Sequence, residues 1–319
     1  MTVPPLARYL GRRVLLAAGV LWATFTVSFV VLHLLPGDPV ATMASGGLEG
    51  EPVGPAQLAE LSARYGLDEP FAVQYLHRLG AALTGDFGTS IQNGQGVAAA
   101  VTQALPPTLE IAVLGLGFAI VFGGALALVA TYTRQRWLRQ LLLALPSLAV
   151  SLPVFWVGLM LVQIVAFGWR LLPSGGVAGT GSAILPAVTL GIAAGALVAQ
   201  VLAKSLTQAL DQPYTTTARA KGADPVAVHL RHALPNAAVP ALTVLGFVSG
   251  NLLAGTVVVE TVFTRPGLGR LTVTAVGAQD IPLVQGIVVF AALVFVLVNL
   301  AVDLVHPLLD PRIATGVRA

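Results

Sequence analysis

The chain contains no cysteine, and only 10% of its 319 residues carry a charge. The first absence excludes disulfides, thiolate metal sites and a cysteine nucleophile, without fixing a redox compartment. The second excludes an ordinary soluble globular surface, where charged residues run at about 25%. Three catalytic motifs are missing as well. There is no G-x-x-x-x-G-K-[ST] phosphate loop; Lys204-Ser205 follows Ala199-Gln200-Val201-Leu202-Ala203 instead of the glycines that a backbone nest for ATP requires. H-E-x-x-H and G-x-S-x-G are also absent, which removes the zinc-helix and nucleophile-turn routes to hydrolysis.

What is present is apolar: 56% of residues are hydrophobic, and the mean hydropathy is +0.84. These residues gather into uncharged runs at 14–35, 111–131, 141–169, 184–203, 237–259 and 282–302. Each reaches roughly the 20 residues an α-helix needs to cross a hydrocarbon core of about 30 Å. The expectation is an all-α membrane protein with six transmembrane helices. The first run exceeds the roughly 7–15 apolar residues of a secretory signal, so it is expected to remain as a membrane helix. Pro146 and Pro153 predict kinks in the third span, tolerated where neighbouring helices satisfy the freed backbone groups.

Six spans put both termini on one side. Arg8, Arg12 and Arg13 precede the first span, and the same side receives Arg134, Arg136, Arg139, Lys204, Arg219, Lys221, Arg231, Arg312 and Arg318. The short loops of the opposite side hold Arg170, Arg265 and Arg270. By the positive-inside rule, the N- and C-termini are expected in the cytoplasm.

Three connecting segments are long. Residues 36–110 form an acidic outer stretch, carrying Glu49, Glu51, Glu60, Asp68, Glu69 and Asp86, with a helical pattern over 55–83 broken at Gly66 and Pro70. Two short amphipathic helices are predicted there, either a solvated cap or a docking surface. Residues 260–281 form a second outer loop with Arg265-Pro266-Gly267-Leu268-Gly269-Arg270 at its tip. Glu110 and Glu260 fall at outer span ends, where a carboxylate is expected to reach water.

The inner segment 204–236 is the polar island of the chain. A helix running through Ala218, Arg219 and Ala220 is expected to end at Gly222 in a left-handed conformation, with Arg219 and Lys221 suiting the negative end of its dipole. Asp224 then reads as an N-cap and Pro225 as a first-turn proline. A short helix follows to about Ala233, and Pro235 is expected to stop it before the fifth span. Val226, Val228 and His229, with Arg231 and His232 beside them, would form its outward face. Two occupants suit such a face: anionic lipid headgroups, which attract basic interfacial helices, or a protein socket.

The wording Thr217-Ala218-Arg219-Ala220-Lys221-Gly222, followed by Arg231-His232-Ala233-Leu234-Pro235-Asn236, resembles the cytoplasmic loop of ABC importer permeases, in particular the dipeptide/oligopeptide/nickel branch. The resemblance covers most of the chain. It includes Leu34-Leu35-Pro36-Gly37-Asp38-Pro39, Tyr65-Gly66-Leu67-Asp68, Gly85-Asp86-Phe87-Gly88, Leu105-Pro106-Pro107-Thr108-Leu109-Glu110, Glu260-Thr261-Val262-Phe263, Pro266-Gly267-Leu268-Gly269 and Leu309-Asp310-Pro311-Arg312. Three positions depart from the branch pattern: Pro213, Thr216 and His232.

The resemblance implies a single permease domain over 1–319 with the type I ABC importer permease fold. It implies a multi-pass chain in a bacterial or archaeal cytoplasmic membrane that translocates di- or oligopeptides and is not itself an enzyme. Nickel-chelate or another small solute is the alternative cargo. Implied partners are a second homologous permease, two cytoplasmic ATP-binding subunits, an extracytoplasmic solute-binding protein and membrane lipid, with no nucleic acid. ATP and Mg would reside on partner subunits, with no cofactor or metal on this chain. The residues coupling to the ATPase would be Ala218, Arg219, Ala220, Lys221, Gly222, Asp224, Pro225, Val228, His229, Arg231, Leu234 and Pro235.

Polar residues within spans either line a pathway or bond neighbouring helices. Asn251 is the first pathway candidate, with Gln163 and Gln200 behind it; Gln285 and Asn299 belong to the same class. His33, without a neighbouring His or carboxylate cluster, reads as a packed residue. A stand-alone ion-coupled carrier is the rival class. It is disfavoured because coupling ions call for intramembrane carboxylates, and it predicts uptake sensitive to uncouplers and indifferent to vanadate.

Overall fold

In hydrocarbon every backbone N–H and C=O must find a partner within the protein, so an apolar chain crosses lipid as helix. The computed structural model describes residues 5–34 and 69–309, with side-chain surroundings over 11–34 and 69–300. Its helices are α1 (Pro5–Leu34), α2 (Phe71–Leu83), α3 (Val97–Tyr132), α4 (Arg136–Ser151), α5 (Val154–Leu161), α6 (Ile184–Leu210), α7 (Pro213–Ala220), α8 (Pro225–Ala227), α9 (Leu234–Val262), α10 (Leu268–Gly277) and α11 (Ile281–Leu309). π-Helical turns, Val162–Gly168 and Val228–Ala233, follow α5 and α8. Among the described residues, extended pairing is confined to one bridge, Thr89 with Gly96.

Five helical stretches are long and apolar enough to span a membrane: Gly11–Leu34, α3, α6, the rod Pro225–Val262 and Ile281–Leu300. The third expected span is not a kinked helix. It is the pair α4–α5, bent by 104°, and counts as a sixth crossing if the two halves share one span. Pro153 has no N–H to continue α4, and it forces Leu152 into extended backbone (φ −85°, ψ 132°), so the helix stops and restarts. The second span differs in the other direction. Helix continues back to Val97 because the Ala-rich stretch before Pro106 forms helix without being continuously apolar. Of the two helices expected over 55–83, α2 is the second. The first, with most of the acidic stretch and the motifs at 35–39 and 65–68, lies outside the described residues, as do Arg312 and Arg318.

Two compact units make up the chain, one of Met1–Pro106 with Arg270–Val296, the other of Pro107–Gly269 with Leu297–Ala319. In the first, α1 and α2 meet through aromatic rings. Phe29, fully buried, sits 5.1 Å from Phe71 and 5.4 Å from Tyr75 by ring centroid. His33 belongs to this cluster: Nδ1 lies 2.7 Å from the Phe29 carbonyl and Nε2 3.2 Å from Gln74 Oε1. The start of α11 is capped by Asp280, fully buried, whose Oδ1 accepts from the Leu283 N–H at 3.2 Å and whose Oδ2 accepts from Ser90.

In the second unit, α3 and α6 cross through small residues. Gly115, Ala119 and Gly123 on α3 face Ala187, Gly191 and Gly195 on α6, each set spaced by four. A Cβ on Gly191 would lie 2.7 Å from the Gly115 carbonyl oxygen, and one on Gly195 3.2 Å from Ala119 Cα. Lipid tails give no hydrophobic drive for helices to associate, so backbone approach of this kind supplies dispersion contact instead. α6, with fifteen buried residues, is the central helix of this unit and packs most extensively on α9.

Candidate functional site

The polar segment between α6 and α9 folds as two short helices around a left-handed corner. Pro213 starts α7 at its first turn, and Thr215, fully buried, ties it back by donating to the Leu210 and Gln212 carbonyls, both at 2.8 Å. At the other end Gly222 takes φ +82°. Its N–H donates to the Arg219 carbonyl at 3.0 Å, and the Ala223 N–H donates to the Ala218 carbonyl at 3.1 Å. These are the two bonds of a Schellman ending, and the left-handed residue they require is one that only a glycine adopts without Cβ strain. Asp224 then accepts from the Val226 N–H at 3.1 Å as N-cap of α8.

Pro235 does not stop the second helix. Backbone helix runs without interruption from Pro225 to Val262, a rod of 38 residues, or about 57 Å. A proline crowds the carbonyl four residues back and offers it no N–H. Here that carbonyl belongs to Arg231, inside the π-helical turn Val228–Ala233, where the wider register absorbs the mismatch. Leu234 and Pro235 thus open α9 in its first turn.

The two faces of the segment separate cleanly. Ala218, Val228 and Ala233 are buried. Ala233 joins Ala127 of α3, Leu202, Ala203, Leu206 and Ala209 of α6, and Ala237 and Ala241 of α9 in one cluster. Val228, expected on the outward face, is 1% exposed and packs inward. Leu230 stands outward instead, four residues after Val226, so that the two form one stripe; Tyr214 is exposed as well. The spacing from Val226 to Leu230 was the signal that could have identified Leu230. Arg219, Lys221, Asp224, Pro225, Arg231, His232 and Pro235 are exposed. His229 is half-buried, its ring edge-on to Tyr132 at 5.3 Å and its Nε2 buried without a hydrogen-bond partner.

The end of α9 holds a second polar arrangement. Glu260, expected to reach water, is fully buried. Its Oε1 accepts from Thr108 Oγ1 at 2.6 Å and its Oε2 from the Gly269 N–H at 2.7 Å, while Thr108 Oγ1 accepts the Leu268 N–H at 2.8 Å. The loop Pro266-Gly267-Leu268-Gly269 folds back over the carboxylate. A Cβ on Gly267 would collide with that carboxylate, and one on Gly269 with the backbone of Val257. Both glycines are therefore required by close approach. Arg265, also fully buried, donates to the Gly176 carbonyl at 3.0 Å and to Glu110 Oε2 at 2.7 Å, while the Glu110 side chain stays half-exposed. The cluster ties the loops around Gly176 and at 263–269 to Thr108 and Glu110, inside α3, and to the end of α9.

The three pathway candidates are not bonded to one another. Asn251 is exposed and donates to the Phe247 carbonyl of its own helix at 2.9 Å. Gln163 is exposed on the π-helical turn after α5. Gln200 is half-buried, reaches Ser147 Oγ at 3.4 Å, and lines a groove of about 420 Å³ between α3, α4 and α6.

Comparison with known proteins gives two family matches that together cover nearly the whole chain. The family described as "Binding-protein-dependent transport system inner membrane component" matches residues 119–315, and its N-terminal companion matches residues 6–112. The glutathione transport system permease protein GsiC of Escherichia coli (strain K12) is 36% identical over 308 residues, 96% of this chain and 98% of its own length. The GsiC of Salmonella typhimurium is 37% identical over 307 residues, with the same coverage of 96% and 98%. Among solved structures, a chain of the MetNI methionine ABC transporter in an inward-facing conformation superposes with TM-score 0.58 at 16% identity, covering 66% of this chain and 96% of that one. A chain of an amino acid ABC transporter superposes with TM-score 0.50 at 17% identity, covering 67% and 94%. At these identities the structures support the fold alone.

Proposed function

The chain belongs to the family of binding-protein-dependent transport system inner membrane components, the permease subunits of ABC importers, and on that premise we propose that residues 218–235 couple it to ATP-hydrolysing partners and that its cargo is di- or oligopeptides. The observation carrying the first part is the corner at Gly222. It joins α7, which Thr215 ties to α6, to α8, which runs on through the π-helical turn into α9, so a push on the Val226–Leu230 stripe tilts two membrane helices together. A stripe that transmits force must be held differently by its partner in two states, since a contact equal in both shifts no equilibrium.

In this proposal ATP closes two partner subunits on the cytoplasmic side, the short helices move with them, and α6 and α9 reopen the pathway toward a docked solute-binding protein. A second, related permease completes the channel. The basic residues of α7, the π-helical turn and the α3–α4 connection support a cytoplasmic placement of this face. The cargo assignment is supported by the GsiC relatives, whose named solute, glutathione, is itself a tripeptide. Asn251, Gln163 and Gln200 remain proposed pathway residues, Gln200 being the one that lines a groove.

Affinity purification of the tagged chain from its native membrane tests the reading. Two ATPase subunits and vanadate-sensitive uptake of a labelled dipeptide are expected. A chain that purifies alone and supports uptake abolished by a proton uncoupler but indifferent to vanadate would instead be an ion-coupled carrier.

A further inference from the structure

A cavity of about 320 Å³ in the first unit is lined by Phe25 of α1, Arg78 of α2, Asp86, Phe87 and Thr89 of the following loop, and Gln285 of α11. Two of its polar side chains have no partner among the described residues. Gln285 is 3% exposed, and its Nε2 is buried without a hydrogen-bond partner. Arg78 is half-buried, and burial pushes its pKa below the ordinary value. Neither group is ion-paired or hydrogen-bonded to another described side chain. His77, beside them, is occupied by Glu69 at 3.1 Å.

Buried donors without acceptors are rare in folded proteins, and each calls for an explanation. Of the two, Gln285 Nε2 is such a donor, while Arg78 is a half-buried guanidinium that lines the cavity with no partner among the described residues, so an occupant that brings acceptor oxygens suits it. The planar fork of a guanidinium suits a carboxylate. Asp86 lines the same space. Its Oδ1 accepts the Gly88 N–H at 2.8 Å, and its negative charge opposes a phosphate dianion while favouring a solute that also carries a cationic group. The rings of Phe25 and Phe87 supply apolar wall.

We propose that this cavity binds the carboxylate of a small zwitterionic solute, such as a short peptide, at Arg78, beside Gln285, with Asp86 placed for its ammonium group. The inference takes its biological sense from the import reading, but its test does not depend on transport.

The transporter, purified as the assembled complex in nanodiscs, is titrated with alanyl-alanine and with alanyl-alanine amide, and binding is read by saturation-transfer NMR. The free acid is expected to bind in the millimolar range and the amide at least tenfold more weakly. R78Q is expected to weaken the acid tenfold or more, with R78K recovering part of the loss, and Q285L to weaken it severalfold. Equal binding of acid and amide to the wild-type protein, binding unchanged in R78Q, or no binding of the acid at all overturns the proposal. The wild-type acid–amide comparison stands even if a variant fails to fold. Dipeptide import without binding here removes this site alone; binding here without import removes the import reading for that cargo and leaves the site.

Discussion

Glu260 shows how one residue organises a loop. A buried carboxylate is tolerated only where donors replace its water, and Thr108 with the Gly269 N–H does so. Removing one acceptor while leaving its donor buried costs about 1–3 kcal/mol. Glu260→Gln puts an amide NH₂ where an acceptor stood, so a lowered melting temperature is expected in detergent. Gly267→Ala drives a methyl group into the carboxylate, so a larger fall is expected by the same measurement. Melting temperatures unchanged in both variants would show that the cluster does not hold the loop. The glycines of Pro266-Gly267-Leu268-Gly269 were legible in the sequence as a turn, and Glu260 as a span end. Their contact was not, because a turn motif does not say which way its loop folds. The aromatic setting of His33 was legible only in outline, since a histidine without ligand partners implies packing but not against which rings.

At the scale of elements, the segment 213–233 has a packed side and an outward side, and substitutions should divide accordingly. Val228→Asp buries a charge beneath α8, so reduced yield of folded chain is expected on size-exclusion chromatography. Leu230→Asp changes only the outward stripe. Normal yield is expected, with ATPase subunits recovered at least severalfold less well on affinity purification. Loss of partner binding from Val228→Asp at full yield, with none from Leu230→Asp, would reverse the two faces. The α3–α6 crossing makes a separate prediction. Gly191→Leu forces a side chain against the Gly115 carbonyl; overpacking of this kind costs about 1–3 kcal/mol, and a lower melting temperature should report it. The Gly222 corner and the Asp224 cap were readable because each depends on residues a few positions apart. The continuation through Pro235 was not, since a proline's penalty depends on whether the preceding turn can widen. Likewise, Pro153 announced a disturbance, while the 104° bend between α4 and α5 depends on the packing around it.

At the scale of the whole molecule, the proposed coupling makes levers of the long helices. The chain's membrane-spanning character followed from apolar runs of spanning length, and its family from the resemblance carried by the polar island and the motifs around it. Which non-adjacent residues close a cavity, such as Arg78 and Gln285, followed from neither. The central claim is that motion enters through the Gly222 corner and leaves through α6 and α9. Proline cannot adopt φ +82° and has no N–H for the Arg219 carbonyl, so Gly222→Pro should uncouple the two short helices without touching a membrane span. Ala218→Asp should do the same by charging the packed side of α7. The most direct measurement is ATP-driven uptake of a labelled dipeptide by the reconstituted complex, wild-type against Gly222→Pro, at equal amounts of inserted permease. The account predicts normal insertion and loss of uptake. Uptake at the wild-type rate in the Gly222→Pro complex would contradict it.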